Sequence, residues 1–353
     1  MKKIVLTGGG TAGHVMPNIA LLKYLEKEFD EIHYIGSHNG IEKNIIEKYP
    51  QVIYHGISTV KLIRSLTPKN LLIPFKLLKS LRETRKILKG INPSVIFSKG
   101  GFVSVPVVFA GSKLKIPIIA HESDSSIGLA NKIIIKKCEK MCFSFENLAK
   151  KYKEKGLYTG SPIRDDIFKG DKEKTIKELN FAPNKTTILI MGGSLGATAI
   201  NNVIFENAEE LSKKYNIIHI VGKNNINKKL INLKNYKQIE FTNHIENYCA
   251  AADLIISRSG SNSIFEFLAL KKPMILIPLP KASSRGDQIL NAQIFHNNGF
   301  SHILYQEKLN KESLLDSISY VLQNKNFYIS NMQKSTIQNA NKLILNEIKK
   351  VAK

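Results

Sequence analysis

The chain opens with the stretch that decides the fold of its first half, Ile4-Val5-Leu6-Thr7-Gly8-Gly9-Gly10-Thr11-Ala12-Gly13. Its apolar residues have the pattern of a short buried strand, which stops at three consecutive glycines. A strand that runs through a glycine turn into a helix is typical of a parallel sheet with helices on both faces. We therefore interpret residues 4–13 as the first strand, the first turn and the start of the first helix of such a sheet.

Similar apolar runs recur along the chain, with helical spacing between them. Those of the first half cover residues 32–35, 95–97 and 116–119. Those of the second half cover residues 187–191, 254–257 and 274–277, and the first of them leads into another glycine turn. The repeat predicts an α/β chain of two Rossmann-like, doubly wound parallel-sheet domains. Because ligands bind such sheets beyond the carboxyl ends of the strands, we expect the glycine turns to surround a cleft between the domains.

The length of 353 residues also favours two domains, at roughly 100–200 residues each. The pattern breaks at Gly160-Ser161-Pro162, which a lysine-rich polar stretch follows, and glycine and proline mark a connection well. We predict a first domain at 1–161 and a second domain at 162–331. The terminal helix at 332–353 is expected to pack back on the first domain.

The composition disfavours several classes of protein. The N-terminus has only five apolar or near-apolar residues before its glycines, fewer than the roughly 7–15 of a signal peptide. No segment approaches the roughly 20 apolar residues of a membrane span. The three cysteines, Cys138, Cys142 and Cys249, are too few for a disulfide framework and lack the spacing of a metal site. We expect a soluble or peripheral protein with idle or buried thiols.

The formal charge of +23 has two interpretations. Strong basicity suits nucleic acid or an anionic membrane surface, although a lysine-rich composition also serves solubility alone. Only six of the 52 basic residues are arginines, the residue most used to read nucleic acid, and no nucleic-acid motif is present. We therefore expect an anionic membrane surface as a partner, and no nucleic acid.

The first glycine turn satisfies the G-x-G-x-x-G spacing of dinucleotide-binding dehydrogenases. That fingerprint expects an acidic residue at the end of the second strand, where this chain has Gly36-Ser37-His38. A dehydrogenase is therefore an alternative, but the acidic residue that would support it is missing. The turn can still hold an anion, because glycines let backbone N–H groups approach a phosphate at a helix N-terminus. The turns at 99–101 and 192–196 share this property, although each can also be a plain tight connection.

Seven motifs, in order along nearly the whole chain, resemble those of the MurG family of N-acetylglucosamine transferases. They are GGTAGH at 9–14, GGFVS at 100–104, HESD at 121–124, SPIR at 161–164, GGSLGA at 192–197, RSG at 258–260 with Glu266, and DQ at 287–288 with NA at 291–292. The resemblance implies the GT-B architecture, UDP-N-acetylglucosamine as donor, inversion at the anomeric carbon and no cofactor. It also implies an undecaprenyl-linked MurNAc-peptide as acceptor and a peripheral location on the cytoplasmic face of the plasma membrane.

The resemblance places the donor mainly on the second domain, through Arg164, Ser194, Thr242, Arg258, Ser261, Glu266 and Gln288. In the family pattern Ser194 meets the pyrophosphate, Glu266 the ribose and Gln288 the sugar, while the turn at Thr242 passes the uracil. From the first domain it implies contacts by Thr11, Ala12 and Gly13. Plainer roles stay open for three of these residues. Arg258 can hold a loop, Glu266 can face water, and Arg164 can pair with the neighbouring aspartates.

Transfer of the sugar places negative charge on the leaving pyrophosphate, which enzymes stabilise with a metal or with fixed donors and cations. The chain has no Asp-x-Asp pair, so we expect glycine-turn N–H groups, Ser194 and Arg164 to serve, with no metal site. The acceptor hydroxyl needs a base. His14 is the first candidate because it starts a helix beside the first glycine turn, and His121 is the second. Both can instead have capping or positional roles.

Two departures from the family pattern concern the acceptor side. Phe102 stands where many relatives have tyrosine, and Ser123-Asp124 stand where some have glutamine and asparagine. Asp124 would then make the contact expected of an asparagine, although an ionised carboxylate only accepts hydrogen bonds. The stretch 66–89 is both basic and apolar, which favours membrane docking, and a core-packed helix with a solvated basic face is the alternative.

Three classes of function remain open on the sequence. The first is the lipid-linked transferase, the second is a dehydrogenase, and the third is a non-catalytic binder of sugar nucleotides. Within the enzymes, a GT-B transferase with a different lipid or small-molecule acceptor is a further alternative, because acceptor contacts are the part least readable from sequence.

Overall fold

The computed structural model of the protein describes residues 1–59, 73–193, 196–282, 286–335 and 340–352, without the side chains of residues 73 and 74. Contacts between residues divide the chain into two compact units. Residues 1–164 with the C-terminal helix form the first unit. The described residues from Asp165 to Ser335 form the second unit.

The first unit contains a seven-stranded parallel sheet with the strand order β3-β2-β1-β4-β5-β6-β7. Its strands are β1 (Lys3–Thr7), β2 (Glu31–Ser37), β3 (Val52–Ile57), β4 (Val95–Ser98), β5 (Ile118–Glu122), β6 (Lys140–Phe143) and β7 (Gly156–Tyr158). The central strand β1 is flanked on both sides, since Ile4 pairs with Ile32 of β2 and with Val95 of β4. Its apolar side chains are therefore buried on both faces, which accounts for the continuous apolar run in the sequence.

Helices connect these strands and cover both faces of the sheet. They are α1 (Met16–Leu25), α2 (Ile41–Ile46), α3 (Ile73–Ile91), α4 (Ser104–Lys113), α5 (Leu129–Ile134) and α6 (Glu146–Lys151). The core lies in two layers, one on each side of the sheet. One layer contains Val5, Ile96 and Val107, and the other contains Leu6, Phe97 and Leu21.

The second unit contains a six-stranded parallel sheet with the order β10-β9-β8-β11-β12-β13. Its strands are β8 (Thr187–Met191), β9 (Asn216–Ile220), β10 (Tyr236–Ile239), β11 (Leu254–Ser257), β12 (Met274–Leu276) and β13 (His302–Ile303). Its helices are α7 (Lys172–Glu178), α8 (Thr198–Lys214), α9 (Ile245–Ala251), α10 (Ser261–Ala269), α11 (Asp287–Asn297), α12 (Lys311–Gln323) and α13 (Lys325–Gln333).

Counted within each unit, both sheets have the order 3-2-1-4-5-6, which is that of the doubly wound dinucleotide-binding fold, and the first unit adds a seventh strand. The predicted fold class, two Rossmann-like parallel-sheet domains, is confirmed. In both units the first strand lies at the centre of the sheet and ends in a glycine turn.

The last helix, α14 (Ala340–Val351), packs on the first unit. Ile344 and Ile348 are completely buried in the core layer that contains α1. The side chain of Asn341 joins the helix to the end of the first unit, because its Oδ1 accepts from the Ile163 N–H at 3.1 Å and its Nδ2 donates to the Ile163 carbonyl at 2.7 Å. The stretch 332–353 is not one helix, since α13 ends at Gln333 and α14 begins at Ala340.

Candidate active site

The first glycine turn follows β1 and leads into a short 3-10 helix, Ala12–His14. Gly10 has φ +87°, a left-handed conformation that a side chain disfavours, and a Cβ at this position would lie 2.6 Å from the ring of Phe102. Glycine is therefore required here both by the backbone angle and by the aromatic ring packed on it. Thr11 and Gly13, beyond the turn, are exposed, and Ala12 is partly exposed.

His14 lies at the end of this short helix and is partly exposed. Its Nδ1 lies 3.0 Å from the hydroxyl of Thr11, so the threonine orients the imidazole ring. An imidazole held in this way can exchange a proton with a substrate near neutral pH. The structure brings together Thr11 and His14, two of the residues that the sequence singled out.

A second glycine turn, at Gly100 and Gly101, follows β4 and lies against the first. Both glycines are left-handed, with φ of +85° and +81°. A Cβ on Gly101 would collide with the carbonyl oxygen of Gly9, and it would lie 3.4 Å from Nδ1 of His14. The two turns therefore interlock, and His14 stands beside the second one.

The end of β5 is a network of buried polar groups. His121 is completely buried; its Nε2 donates to the carbonyl of Gly160 at 3.0 Å, and its Nδ1 has no hydrogen-bond partner within the described chain. Burial lowers the pKa of His121 well below its ordinary value, so the ring is neutral at pH 7. Its neighbour Glu122 is also buried, and burial raises the pKa of its carboxyl group. Asp124, two residues further on, is partly exposed.

The second unit has a cavity of about 540 Å³ at its own first glycine turn. It is lined by Met191, Gly192, Gly193, Gly196, Ala197, Thr198, Ala199, Ser257, Arg258, Gly260, Ser263, Leu279, Gln288 and Gln306. The turn precedes α8, so the unpaired N–H groups of the first helical turn point at the cavity. Such a helix end attracts anions. Ser194, predicted to meet the pyrophosphate, lies outside the described residues.

Arg258 is mostly buried at the wall of this cavity. Its guanidinium donates to the carbonyl oxygens of Ile277 at 3.0 Å and Pro278 at 3.4 Å, and to Oε1 of Gln306 at 2.6 Å. Burial lowers the pKa of the guanidinium, yet arginine stays charged at pH 7. Arg258 therefore holds the loop after β12, which is the plainer of its two roles, and it also borders the space where a ligand fits.

The other residues predicted to bind the sugar donor differ in whether they line the cavity. Gln288 lines it, and its Oε1 accepts from the N–H of Leu279 at 3.1 Å, which leaves its amide NH₂ group to meet a ligand. Ser261 is buried at the start of α10. Glu266 is partly exposed on α10, three residues after the lining Ser263 and hence on the same helix face.

Thr242 and Arg164 are also not among the residues that line the cavity. Thr242 accepts a hydrogen bond from the N–H of His244 at 2.9 Å, just before α9. Arg164 is partly exposed at the end of the first unit. Among the described residues, no group of three histidine, cysteine or carboxylate side chains is arranged to hold a metal ion.

Three residues of these sites carried no signal in the sequence. They are Glu42, Asn131 and Gln306. Each is an ordinary polar residue whose role comes from a neighbour elsewhere in the chain, such as Gln306, which accepts from the guanidinium of Arg258, 48 residues earlier, at 2.6 Å. A pattern search along the chain has no means of pairing such positions.

The surface of α3 divides into two parts. Its C-terminal half is anchored by Thr84, Leu88 and Ile91, which are buried. Its N-terminal half exposes Phe75 and Leu78, which are 72% and 51% accessible, among basic side chains. The first part of the predicted membrane-docking stretch, residues 66–72, lies outside the described residues. None of the described helices has the length and apolarity to span a bilayer.

The chain matches both domains of one enzyme family. Residues 4–143 match the glycosyltransferase family 28 N-terminal domain, and residues 187–348 match the C-terminal domain of the same family. The chain is thus a glycosyltransferase, and the dehydrogenase alternative does not hold.

Similar proteins narrow this assignment. A protein of Clostridium tetani named UDP-N-acetylglucosamine--N-acetylmuramyl-(pentapeptide) pyrophosphoryl-undecaprenol N-acetylglucosamine transferase is 49% identical over 99% of this chain and 98% of its own length. A Bacillus cereus protein of the same name, numbered 2, is 47% identical over 99% of both chains. The crystal structure of Acinetobacter baumannii MurG superposes with a TM-score of 0.75 at 23% identity, over 99% of this chain and all of that one, which identifies the fold as GT-B. The chain belongs to the MurG family of glycosyltransferases.

Proposed function

We infer that the protein transfers N-acetylglucosamine from UDP-N-acetylglucosamine to the 4-hydroxyl of MurNAc in the undecaprenyl-linked acceptor lipid I, with inversion, and so forms lipid II for peptidoglycan synthesis. The observation that carries this inference is the 49% identity, over nearly the full length of both chains, to a protein named for this reaction. Full-length similarity includes the first unit, which in this family binds the acceptor, and so argues against a different acceptor.

The cavity of the second unit supports the assignment of the donor site. Its glycine turn and the N-terminus of α8 suit the two phosphates of UDP-N-acetylglucosamine, because free N–H groups and a helix dipole stabilise anions there. The NH₂ group of Gln288 suits a sugar oxygen, and the Glu266 carboxylate suits a pair of ribose hydroxyls. Ser194 and Ser261, with Thr242 at the uracil, complete this site in our proposal.

The UDP leaving group gains negative charge as its bond to the anomeric carbon of N-acetylglucosamine breaks. Hydrogen-bond donors that are already in position stabilise this charge without reorganisation of the protein. In many enzymes this stabilisation is the largest single contribution to catalysis. We assign this role to the glycine-turn N–H groups, with positive charge from Arg164 and, at the cavity wall, from Arg258. The sequence has no Asp-x-Asp pair, and the proposed reaction therefore proceeds without a metal ion.

The acceptor hydroxyl loses a proton during the attack, and His14 is the better candidate for the base. Its ring is partly exposed beside both glycine turns, and its Nδ1 lies 3.0 Å from the Thr11 hydroxyl, which orients the ring. His121 has no exposed surface, and its Nε2 is already bonded to Gly160. We therefore assign the base to His14 and a supporting role in the acceptor unit to His121.

The acceptor carries an undecaprenyl chain, which requires contact with the membrane that contains it. The exposed Phe75, Leu77 and Leu78 of α3, together with the basic residues around them, suit the interface of an anionic bilayer. We propose that this end of α3 docks the protein peripherally on the cytoplasmic face of the plasma membrane.

The test of the reaction is transfer of radiolabelled N-acetylglucosamine from its UDP donor to lipid I in detergent. Product that runs as lipid II, and that is absent when lipid I is replaced by undecaprenyl phosphate, is the expected result. Binding of the donor with no product from lipid I would contradict the proposed acceptor and would favour another GT-B transferase or a binding protein.

The test of membrane docking is sedimentation with vesicles of phosphatidylglycerol or phosphatidylcholine. We expect binding to the anionic vesicles alone, weakened by salt, and weakened roughly tenfold by Phe75→Ser with Leu78→Ser. The matched control is Phe327→Ser, an exposed phenylalanine of the second unit. Equal loss in the control and in the α3 variant would contradict docking by α3.

A further inference from the structure

The segment that leads from β7 to Arg164 has no regular secondary structure, and side chains of the first unit hold its backbone. Residues 159–164 lie outside every strand and helix. Gly160 has a left-handed φ of +77°, and its carbonyl accepts from Nε2 of the buried His121 at 3.0 Å. Ser161 and Pro162, which follow, are buried. A buried backbone outside a sheet or helix needs other partners for its N–H and C=O groups, and here side chains provide them.

Asn341, near the start of α14, is the partner of Ile163 in this segment. Its Oδ1 accepts from the Ile163 N–H at 3.1 Å, and its Nδ2 donates to the Ile163 carbonyl at 2.7 Å. Nδ2 also lies 3.4 Å from the carbonyl oxygen of Ala20 on α1. An asparagine side chain has both an acceptor and a donor, so it can pair with a residue as a neighbouring strand would. Asn341 is only 7% exposed, and these bonds are therefore largely shielded from water.

The attachment of α14 to the first unit does not depend on these bonds. Ile344 and Ile348 of the same helix are completely buried in the core layer that contains α1. Burial of apolar side chains is the dominant contribution to such packing. The polar contacts of Asn341 therefore do something more specific than hold the helix, and what they fix is the backbone of Ile163.

Arg164 directly follows Ile163 and is the last residue of the first unit before the division of the chain. Because the peptide bond between the two residues is planar, the position of Ile163 fixes that of the Arg164 backbone. On its other side Arg164 is followed at once by the short 3-10 helix Asp165–Phe168. A cation that stabilises developing charge is most effective when it is in place before the reaction. The anchor at Ile163 supplies that condition for Arg164.

We propose that Asn341 is a positioning residue for Arg164: it pairs with the backbone of Ile163 and so directs the guanidinium towards the pyrophosphate of the donor. The proposal rests on the proposed function, in which Arg164 supplies positive charge to the leaving UDP. Asn341 acts through Ile163 and not by contact with a substrate. The C-terminal helix thereby serves the transfer reaction, although the family motifs end at residue 292.

The test is a double-mutant cycle of Asn341→Leu, Arg164→Met and the two together. Asn341→Leu keeps the size of the side chain and removes its hydrogen bonds. It should lower kcat/KM for UDP-N-acetylglucosamine about tenfold in the wild-type background and less than about twofold in the Arg164→Met background. The KM for lipid I should stay within about twofold, which a general loss of structure would not allow. Asn346→Leu, at an exposed asparagine of the same helix, is the matched control and should behave as wild type.

Two results would overturn the proposal while leaving the function intact, each with a wild-type enzyme that makes lipid II. One is a loss from Asn341→Leu that is as large in the Arg164→Met background as in the wild type. The other is an unchanged kcat/KM for the donor, or an equal change for both substrates. If Asn341→Leu does not fold, Asn341→Ser, which is polar but too short to reach both groups of Ile163, is judged by the same two results. A wild-type protein without transferase activity would instead refute the proposed function.

Discussion

The carboxylate of Glu42 holds the backbone of Gly10, with Oε2 accepting the Gly10 N–H at 3.2 Å. Its Oε1 accepts the N–H of Ser37 at 2.9 Å and also the Ser37 hydroxyl. Glu42 is completely buried, so α2 supplies a negative charge between the first glycine turn and the end of β2. In dinucleotide-binding proteins an acid in this region meets the ribose. Here the acid binds the protein itself, and the Gly10 N–H is not available to a phosphate.

Removal of the Glu42 side chain should destabilise the first unit. Glu42→Ala removes the acceptor of the Gly10 N–H and leaves the two buried donors of Ser37 without this partner, which costs roughly 2–4 kcal/mol and lowers the midpoint of thermal unfolding by about 5–15 °C. Glu47→Ala, at an exposed position directly after the same helix, is the control and should change the midpoint little. Calorimetry of the two variants makes the comparison. Equal midpoints would show that the carboxylate does not hold the turn.

The hydroxyl of Thr11 should matter to catalysis through His14. Thr11→Val removes the group 3.0 Å from Nδ1 of His14 and should lower kcat roughly 10- to 100-fold, because a misoriented base transfers protons poorly. Thr11→Ser retains the hydroxyl and should stay within about threefold of wild type. Steady-state transfer assays decide the matter. A loss in Thr11→Ser as large as that in Thr11→Val would contradict this role, because the serine keeps the hydroxyl.

Gln306 should act on the donor through Arg258. Since Arg258 bonds both the loop after β12 and Gln306, Gln306→Leu should raise the KM for UDP-N-acetylglucosamine about tenfold, with a smaller change in kcat. Combined with Arg258→Lys, it should add little, because the two residues act as a unit. Glu307→Gln, at the exposed neighbouring position, is the control. Independent, additive effects of the two substitutions would contradict the coupling.

The stability of the second unit should depend on pH through His219. This ring is completely buried between the hydroxyl of Tyr236 at 2.8 Å and Oδ1 of Asn201 at 3.1 Å, and burial lowers its pKa to about 3. The unfolded chain takes up the proton below about pH 6.5, while the folded protein does not. The stabilisation is therefore complete above pH 6.5 and is lost as the pH falls towards 3.

Comparison with the variant His219→Gln isolates the contribution of His219 to the pH dependence of stability. The difference in unfolding free energy between wild type and His219→Gln should shrink by about 1.4 kcal/mol per pH unit below pH 6. Denaturant titrations between pH 7 and pH 5 measure it, with His244→Gln, a largely exposed histidine, as the control. A difference that does not change with pH would show that the buried ring is protonated in the folded state.

The three cysteines should be inert in the folded protein. Cys138, Cys142 and Cys249 are all free and buried, and burial raises the pKa of Cys138 to about 11. Only the thiolate reacts readily, so a thiol reagent at pH 8 should label native protein slowly and all three thiols after denaturation. Rapid labelling of one thiol in native protein would show that its segment opens.

The sequence was sufficient for the fold because the fold depends on local patterns. The apolar runs at 4–6, 95–97 and 254–257 fall in central strands, and glycines mark where β1 and β8 end. The contacts between site residues could be predicted less well. Glu42 and Gly10 are 32 residues apart, and Arg258 and Gln306 are 48 apart, so only the packing of separate elements brings each pair together. Nothing in the local sequence distinguishes Glu42 from the exposed Glu47 nearby.

Transfer by wild-type protein and by His14→Ala, with EDTA present, tests the central proposal most directly. A metal-free enzyme with His14 as the base should form lipid II from UDP-N-acetylglucosamine and lipid I at an undiminished rate under chelation. The variant should lose roughly 10²–10⁴ in kcat with little change in the KM for the donor. Activity abolished by EDTA, or a variant as active as wild type, would contradict it.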